Sequence, residues 1–118
     1  MYSNIMIYKK LHDLNTRINN SKRLLKKYPD RIPIICECGD KTLNDIGKGK
    51  FLVPKDLSVA DMMYVIRKKI KITKEKSIYL FINNSLVLNS KLISQVYSDH
   101  RDQDGFLYIT YYAENAFG

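Results

Sequence analysis

The sequence predicts an α+β domain in which one helix packs across a mixed β-sheet, preceded by a basic helical extension. Three observations carry this. The chain has 118 residues, 45% of them hydrophobic, which suits one compact domain with its own core and excludes a multidomain enzyme. The hydrophobic period changes from helical to strand-like across Tyr28-Pro29. The strands that follow are separated by a single strongly helical segment, the pattern of an α+β layer pair.

Residues 4–27 read as helix. Ile7, Leu11, Leu14, Ile18 and Leu25 recur at helical spacing, Lys and Arg fill the other faces, and Tyr28-Pro29 stops the run. Asp13 or Asn15 is a candidate break into two shorter helices. Arg31 to Cys38 is rich in β-branched residues and reads as a strand, followed by a loop with Gly39, Gly47 and Gly49. Phe51-Leu52-Val53-Pro54 is a second strand, and its closing Pro suits a sheet edge because Pro donates no ladder hydrogen bond. Ser58 with Asp61 three positions on predicts a capped start for a helix bearing Val59, Met62, Met63, Ile66 and Ile70. Ser77 to Ile82 is a buried strand ending at Asn83-Asn84, a pair tolerant of left-handed backbone, and Leu86 to Leu88 can return beside it. Ser90 is expected to cap a helical turn with Leu92, Ile93 and Val96. Asp104-Gly105 then turns the chain into a last strand, Phe106 to Tyr112, and a tail. This is the element order of the ubiquitin-like β-grasp. It divides the chain into a basic helical extension (1–27), a β-grasp core (28–112) and a flexible C-terminal tail (113–118).

Twenty Lys and Arg against twelve Asp and Glu give a net charge of +8. Residues 1–27 hold seven bases (Lys9, Lys10, Arg17, Lys22, Arg23, Lys26, Lys27) and one acid, Asp13, so most of the excess lies there. A basic arm suits nucleic acid, an anionic membrane surface or an acidic protein, and equally a solvated helix face. Fifteen Lys to five Arg disfavours base-specific reading, for which Arg is better shaped. No run approaches the roughly 20 apolar residues of a membrane span, and Met1 to Lys10 lacks the uncharged stretch of a secretory signal, so a cytoplasmic protein is expected. Cys36 and Cys38 are too few for a disulfide framework and are expected as reduced, buried thiols. With His12 and His100 as the only soft partners, neither a metal site nor a Cys-His nucleophile is expected, nor any cofactor. His100 is expected to close a loop with Asp99 or Asp102.

Six segments are then recognisable: Tyr28-Pro-Asp-Arg-Ile-Pro-Ile-Ile-Cys-Glu, Lys50-Phe-Leu-Val-Pro, Tyr64-Val-Ile-Arg-Lys-Lys-Ile, Phe81-Ile-Asn-Asn, Asp104-Gly-Phe-Leu-Tyr and Phe117-Gly118. The chain resembles the autophagy-related ubiquitin-like modifiers, the GABARAP and autophagy-eight family, closely from Tyr28 to Gly118. Residues 1–27 match only in being basic and helical. The family's aromatic-Pro-Phe-Glu-Lys-Arg stretch is replaced by Leu11-His-Asp-Leu-Asn-Thr-Arg.

The resemblance implies a covalent tag and not an enzyme. Its relatives are activated with ATP, carried as thioesters on activating and conjugating enzymes, and joined through a C-terminal glycine to phosphatidylethanolamine on autophagosomal or other organelle membranes; a cysteine protease releases them. Gly118 suits this chemistry, since a residue without a side chain lets narrow active sites close round its carbonyl. With Gly118 as the encoded end, the reactive carboxylate is exposed from synthesis and the protease serves only for release; a reading frame that runs on past it would need trimming first.

The resemblance also implies docking of short aromatic-x-x-aliphatic motifs from autophagy receptors, by strand addition to Lys50–Pro54. Matched by position, Leu24, Pro33, Ile35, Lys50, Leu52 and Phe106 would line the aromatic pocket. Phe51, Val53, Pro54, Leu57, Met62 and Val65 would line the aliphatic one, with Arg31, Lys48 and Lys69 facing flanking acids. Asn20 where relatives often have an acid, Gly49 for a base and Met62 for an aromatic imply a different ligand preference. Two other functions fit the residues: a small basic nucleic-acid-binding domain, and a motif-binding scaffold that is never conjugated. Both leave Gly118 idle.

Overall fold

The computed structural model describes residues 7–83 and 85–114. Gly118, Phe117, Asn84 and residues 4–6 of the expected first helix lie outside them. The extension is two helices, α1 (Ile7–Leu11) and α2 (Leu14–Lys27). Asp13 makes the break: its backbone is extended and its carboxylate accepts from Thr16 N–H at 2.8 Å, satisfying one of the amides a new helix leaves unpaired.

The sheet strands are β1 (Arg31–Cys38), β2 (Lys50–Pro54), β3 (Ile78–Ile82), β4 (Ser85–Leu86) and β5 (Leu107–Ala113). Their order is β2-β1-β5-β3-β4, with β1 and β5 parallel and the other pairs antiparallel. α3 (Val59–Ile70) starts on the expected capping box, in which Ser58 and Asp61 bond each other's backbone N–H. It ends at Lys71, whose left-handed backbone returns its N–H to the last carbonyls. Val59, Met62, Ile66 and Ile70 of α3 bury against Ile32, Ile34, Cys36, Leu80, Ile82, Ile109 and Tyr111 of the sheet. The opposite sheet face is covered by α2, packed on β1. Both cysteines are free and buried on the α3 face, and burial pushes the Cys36 thiol pKa up.

Some details differ from the sequence expectation. The return strand is only two residues long, and the chain leaves it before Leu88. The helix after it, α4 (Ile93–His100), is not capped by Ser90; Leu92 precedes it, and Gln95 Oε1 accepts Leu92 N–H at 3.0 Å. His100 meets Asn83, not Asp99 or Asp102: Asn83 Nδ2 lies 3.3 Å from its Nδ1, on a residue with φ of 51°. Those two acids pair instead with Lys91 and Lys9. β5 runs on through Ala113, which is buried, so the strand takes the first residue assigned to the tail.

One polar cluster joins the extension to the core. Asp104, whose side chain is wholly buried, accepts from Arg17 Nη1 at 2.9 Å, Tyr108 Oη at 2.5 Å and Phe106 N–H at 2.9 Å. Its own carbonyl accepts from Ser21 Oγ. Burial works against the Arg17 charge, but its bonds to Tyr108 and Asp104 outweigh this and hold its pKa above the ordinary value. Burial, then the Asp104 acceptor, pushes the Tyr108 hydroxyl up. This staple sets α2 over β1 and fixes Phe106 beneath it.

Candidate peptide-docking edge

Among the described residues β2 pairs with β1 alone, leaving its outer edge open. Which backbone groups face that edge follows from register. Cys36 N–H donates to Gly49 C=O at 2.7 Å, making Cys36–Gly49 a hydrogen-bonded pair. Alternation makes Ile34–Phe51 and Ile32–Val53 bonded pairs too, and Ile35–Lys50, Pro33–Leu52 and Arg31–Pro54 non-bonded ones. Lys50 and Leu52 therefore turn their N–H and C=O outward, where an added strand would find them. Pro33, which has no N–H, sits where none is needed. Gly49 comes so near β1 that a Cβ would lie 1.9 Å from the Cys36 carbonyl oxygen, so this backbone takes only glycine there.

Alternation also divides the side chains. Lys50 and Leu52 share a face with Ile35 and Pro33, their register partners, beneath α2. Phe106 is fully buried there, outside the α3-side core, and Leu24 of α2 is half-buried above. On the other face Phe51, Val53, Leu57 and Met62 join the α3-side cluster. Two apolar sets, each holding part of one expected pocket, thus flank one open strand.

Burial sorts the individual residues. Phe106 and Met62 are both 0% exposed and can contribute only as floors. Leu52, Phe51, Leu57 and Val65 are half-buried, and Pro54 closes the strand in an exposed position. Lys69 Nζ lies 5.4 Å from the centre of the Phe51 ring, which places its charge at the aliphatic side. Arg31 Nη1 reaches the outward Leu52 carbonyl at 3.4 Å. Lys48, exposed, lines a half-open cavity of about 610 Å³ with Lys50, Ile35 and Glu37.

That cavity's other wall is α1, which sequence reasoning left out of the site. Tyr8 meets Phe106 edge-on at 5.4 Å, lies 5.5 Å below Lys50 Nζ, and accepts from Asn20 Nδ2 through its hydroxyl at 2.9 Å. Its N–H donates to Glu37 at 2.9 Å. Asn20, read in the sequence as a departure from the acid that relatives often carry, thus holds Tyr8 in place. Tyr8 and His12, four apart on one helix face, have ring centres 4.6 Å apart, and nothing in the sequence marks the pair as a pocket wall.

Comparisons with known proteins give the family. Residues 16–118 match the family model described as autophagy protein Atg8, ubiquitin-like. The chain belongs to the Atg8 ubiquitin-like family. It is 49% identical over 113 residues to autophagy-related protein 8e of Arabidopsis thaliana, covering 95% of this chain and 93% of that one. It is 52% identical over 103 residues to autophagy-related protein 8 of Schizosaccharomyces pombe, covering 86% and 85%. Among solved structures, the Atg8 of Trypanosoma brucei superposes with a TM-score of 0.87 at 33% identity, over 92% of this chain and 94% of that one. The Atg8 of Plasmodium falciparum, solved in complex with an Atg3 peptide, gives 0.82 at 30%, over 89% and 94%. The resemblance seen in the sequence, and the β-grasp with a helical N-terminus expected from it, both hold: this is an autophagy-related ubiquitin-like modifier of the Atg8 family.

Proposed function

We propose that this Atg8-family chain acts as a non-enzymatic tag, joined through Gly118 to phosphatidylethanolamine, and that its β2 edge docks aromatic-x-x-aliphatic segments of receptors and of the conjugation enzymes. The observation that carries the docking is the pair of outward-facing residues, Lys50 and Leu52, between two apolar sets. An extended peptide placed there gains backbone hydrogen bonds from the edge, and side chains two faces apart enter the two sets. Lys48, Lys50, Lys69 and Arg31 ring this edge with positive charge, which suits acids flanking the motif. The Plasmodium Atg8 bound to an Atg3 peptide supports the same class of partner here.

Conjugation follows the chemistry of a glycine carboxylate. It displaces pyrophosphate from ATP to give an acyl adenylate; a cysteine thiolate displaces AMP to give a thioester. The lipid amine then displaces the thiolate and loses a proton, leaving an amide. Membrane attachment in this reading comes from that lipid; among the described residues no helix is long and apolar enough to cross a bilayer. The test is a reconstitution with activating and conjugating enzymes, ATP and phosphatidylethanolamine vesicles. The full chain is expected to form the lipid product and the chain lacking Gly118 to form none while keeping its fold; lipid conjugation of the shortened chain would refute the reading.

A further inference from the structure

The β1–β5 ladder stops short of the end of β5. Gly39 N–H donates to the Tyr111 carbonyl at 2.9 Å. The next rung of a parallel ladder would run from Ala113 N–H to the Gly39 carbonyl. Instead the Ala113 N–H donates to Asp40 Oδ2 at 2.9 Å, so a side chain takes the rung where the β1 backbone turns away. Asp40 Oδ1 accepts from Thr42 N–H at 2.9 Å and Thr42 Oγ1 at 2.8 Å, and the residue is 5% exposed. Burial opposes its charge, but the bonds from Thr42 and Ala113 outweigh this and keep its carboxyl below the ordinary range. Glycine at 39 makes the approach possible, because a Cβ there would lie 2.5 Å from the Tyr112 ring. On the β3 side, Glu114 N–H donates to the Ser77 carbonyl at 2.9 Å. The last two described residues are therefore clamped from both flanks, one clamp being a buried carboxylate 73 positions away in sequence.

We propose that Asp40 is a positioning residue for conjugation, fixing the point from which the segment ending at Gly118 leaves the domain. This rests on the conjugation reading above. From Ala113 to Gly118 the chain spans at most about 18 Å, so the anchor bounds where the reacting carboxylate can be delivered. Without it the chain past Ala113 is held by the Glu114–Ser77 bond alone, so the direction in which Gly118 is delivered is less defined, which lowers its effective concentration in the active site of the activating enzyme. The domain's docking on that enzyme is untouched.

The test measures thioester formation on purified activating enzyme with ATP for the full-length wild type, Asp40→Ala, Asp40→Asn and Thr42→Ala, with hydrogen exchange at the Ala113 amide of each. Asp40→Ala is expected to lower kcat roughly three- to tenfold with little change in KM, and to speed Ala113 exchange. Asp40→Asn, which keeps one carbonyl acceptor, recovers part of both. Thr42→Ala loosens the same loop but leaves the Ala113 bond, and retains the wild-type kcat. Across every variant that folds, kcat must follow Ala113 protection; one that loses protection at wild-type kcat, or a Thr42→Ala loss of kcat equal to that of Asp40→Ala with the Ala113 amide still protected, overturns the role of Asp40. Wild-type protein that forms no thioester overturns the conjugation reading and this role with it, whereas equal rates for wild type and Asp40→Ala overturn this role alone.

Discussion

Leu52 has a double part in the docking edge: its backbone groups point outward and its side chain sits half-buried between Pro33 and the α2 face. Truncating it removes pocket wall without touching the fold's fully buried residues. Leu52→Ala is expected to weaken binding of an aromatic-x-x-aliphatic peptide by about 1 kcal/mol or more, read by titration calorimetry on protein of unchanged thermal stability. Asp104 behaves oppositely, as a residue of the scaffold. Its replacement by Ala leaves Arg17 and the Tyr108 hydroxyl facing a buried void, and a loss of about 3–5 kcal/mol is expected in denaturant unfolding. Tyr108→Phe, which removes one donor and leaves the ion pair, should cost only about 1 kcal/mol. In the sequence Asp104 reads as a turn residue before Gly105, because local pattern carries no trace of a partner 87 positions away. Tyr8 escaped notice for the same reason: its contacts with Phe106 and Lys50 are made by the fold, and nothing in a basic helix marks one aromatic as a pocket wall.

Among the elements, α3 was the most legible, since its apolar spacing and its capping box are both local. Ser58→Ala removes the side-chain acceptor for Asp61 N–H and is expected to cost about 1 kcal/mol, measured by thermal or denaturant melting. α1 was the least legible, at five residues too short for its period to be separated from that of α2. It is held to the core by Lys9 on Asp102 at 2.5 Å, by the Lys9 ammonium over Tyr108, and by the Tyr8 N–H on Glu37. Burial tends to raise the Asp102 pKa, but Lys9 and the Asp104 amide outweigh it and hold it below the ordinary carboxyl range. Asp40 is lowered likewise by Thr42 and Ala113. Both groups thus take up protons more readily unfolded than folded, so their contribution is complete above about pH 4 and is lost as pH falls through their lowered folded values. Acid is therefore expected to loosen α1 and the β5 end in that window. The Tyr8 and Ala113 amides should exchange faster there than those of α3, and uniform exchange across the three would contradict this.

For the whole molecule, the order β2-β1-β5-β3-β4 is what turns a sequence of strands into a binding surface, by leaving β2 at the edge with its pairing groups outward. The edge position was legible because Pro54 cannot serve an interior strand, and the two-sided division of Lys50 to Val53 follows from alternation alone. Depth was not legible: Met62 and Phe106 lie fully buried as floors, a matter of how far α3 and α2 settle onto the sheet. The account's central claim is that an incoming peptide becomes a sixth strand at β2. The most direct measurement is amide hydrogen exchange with chemical-shift mapping during titration with an aromatic-x-x-aliphatic peptide. Protection of the Lys50 and Leu52 amides, with shifts at Phe51 and Phe106 and none at β4, is the predicted result; saturable binding that leaves both amides exchanging freely would contradict it.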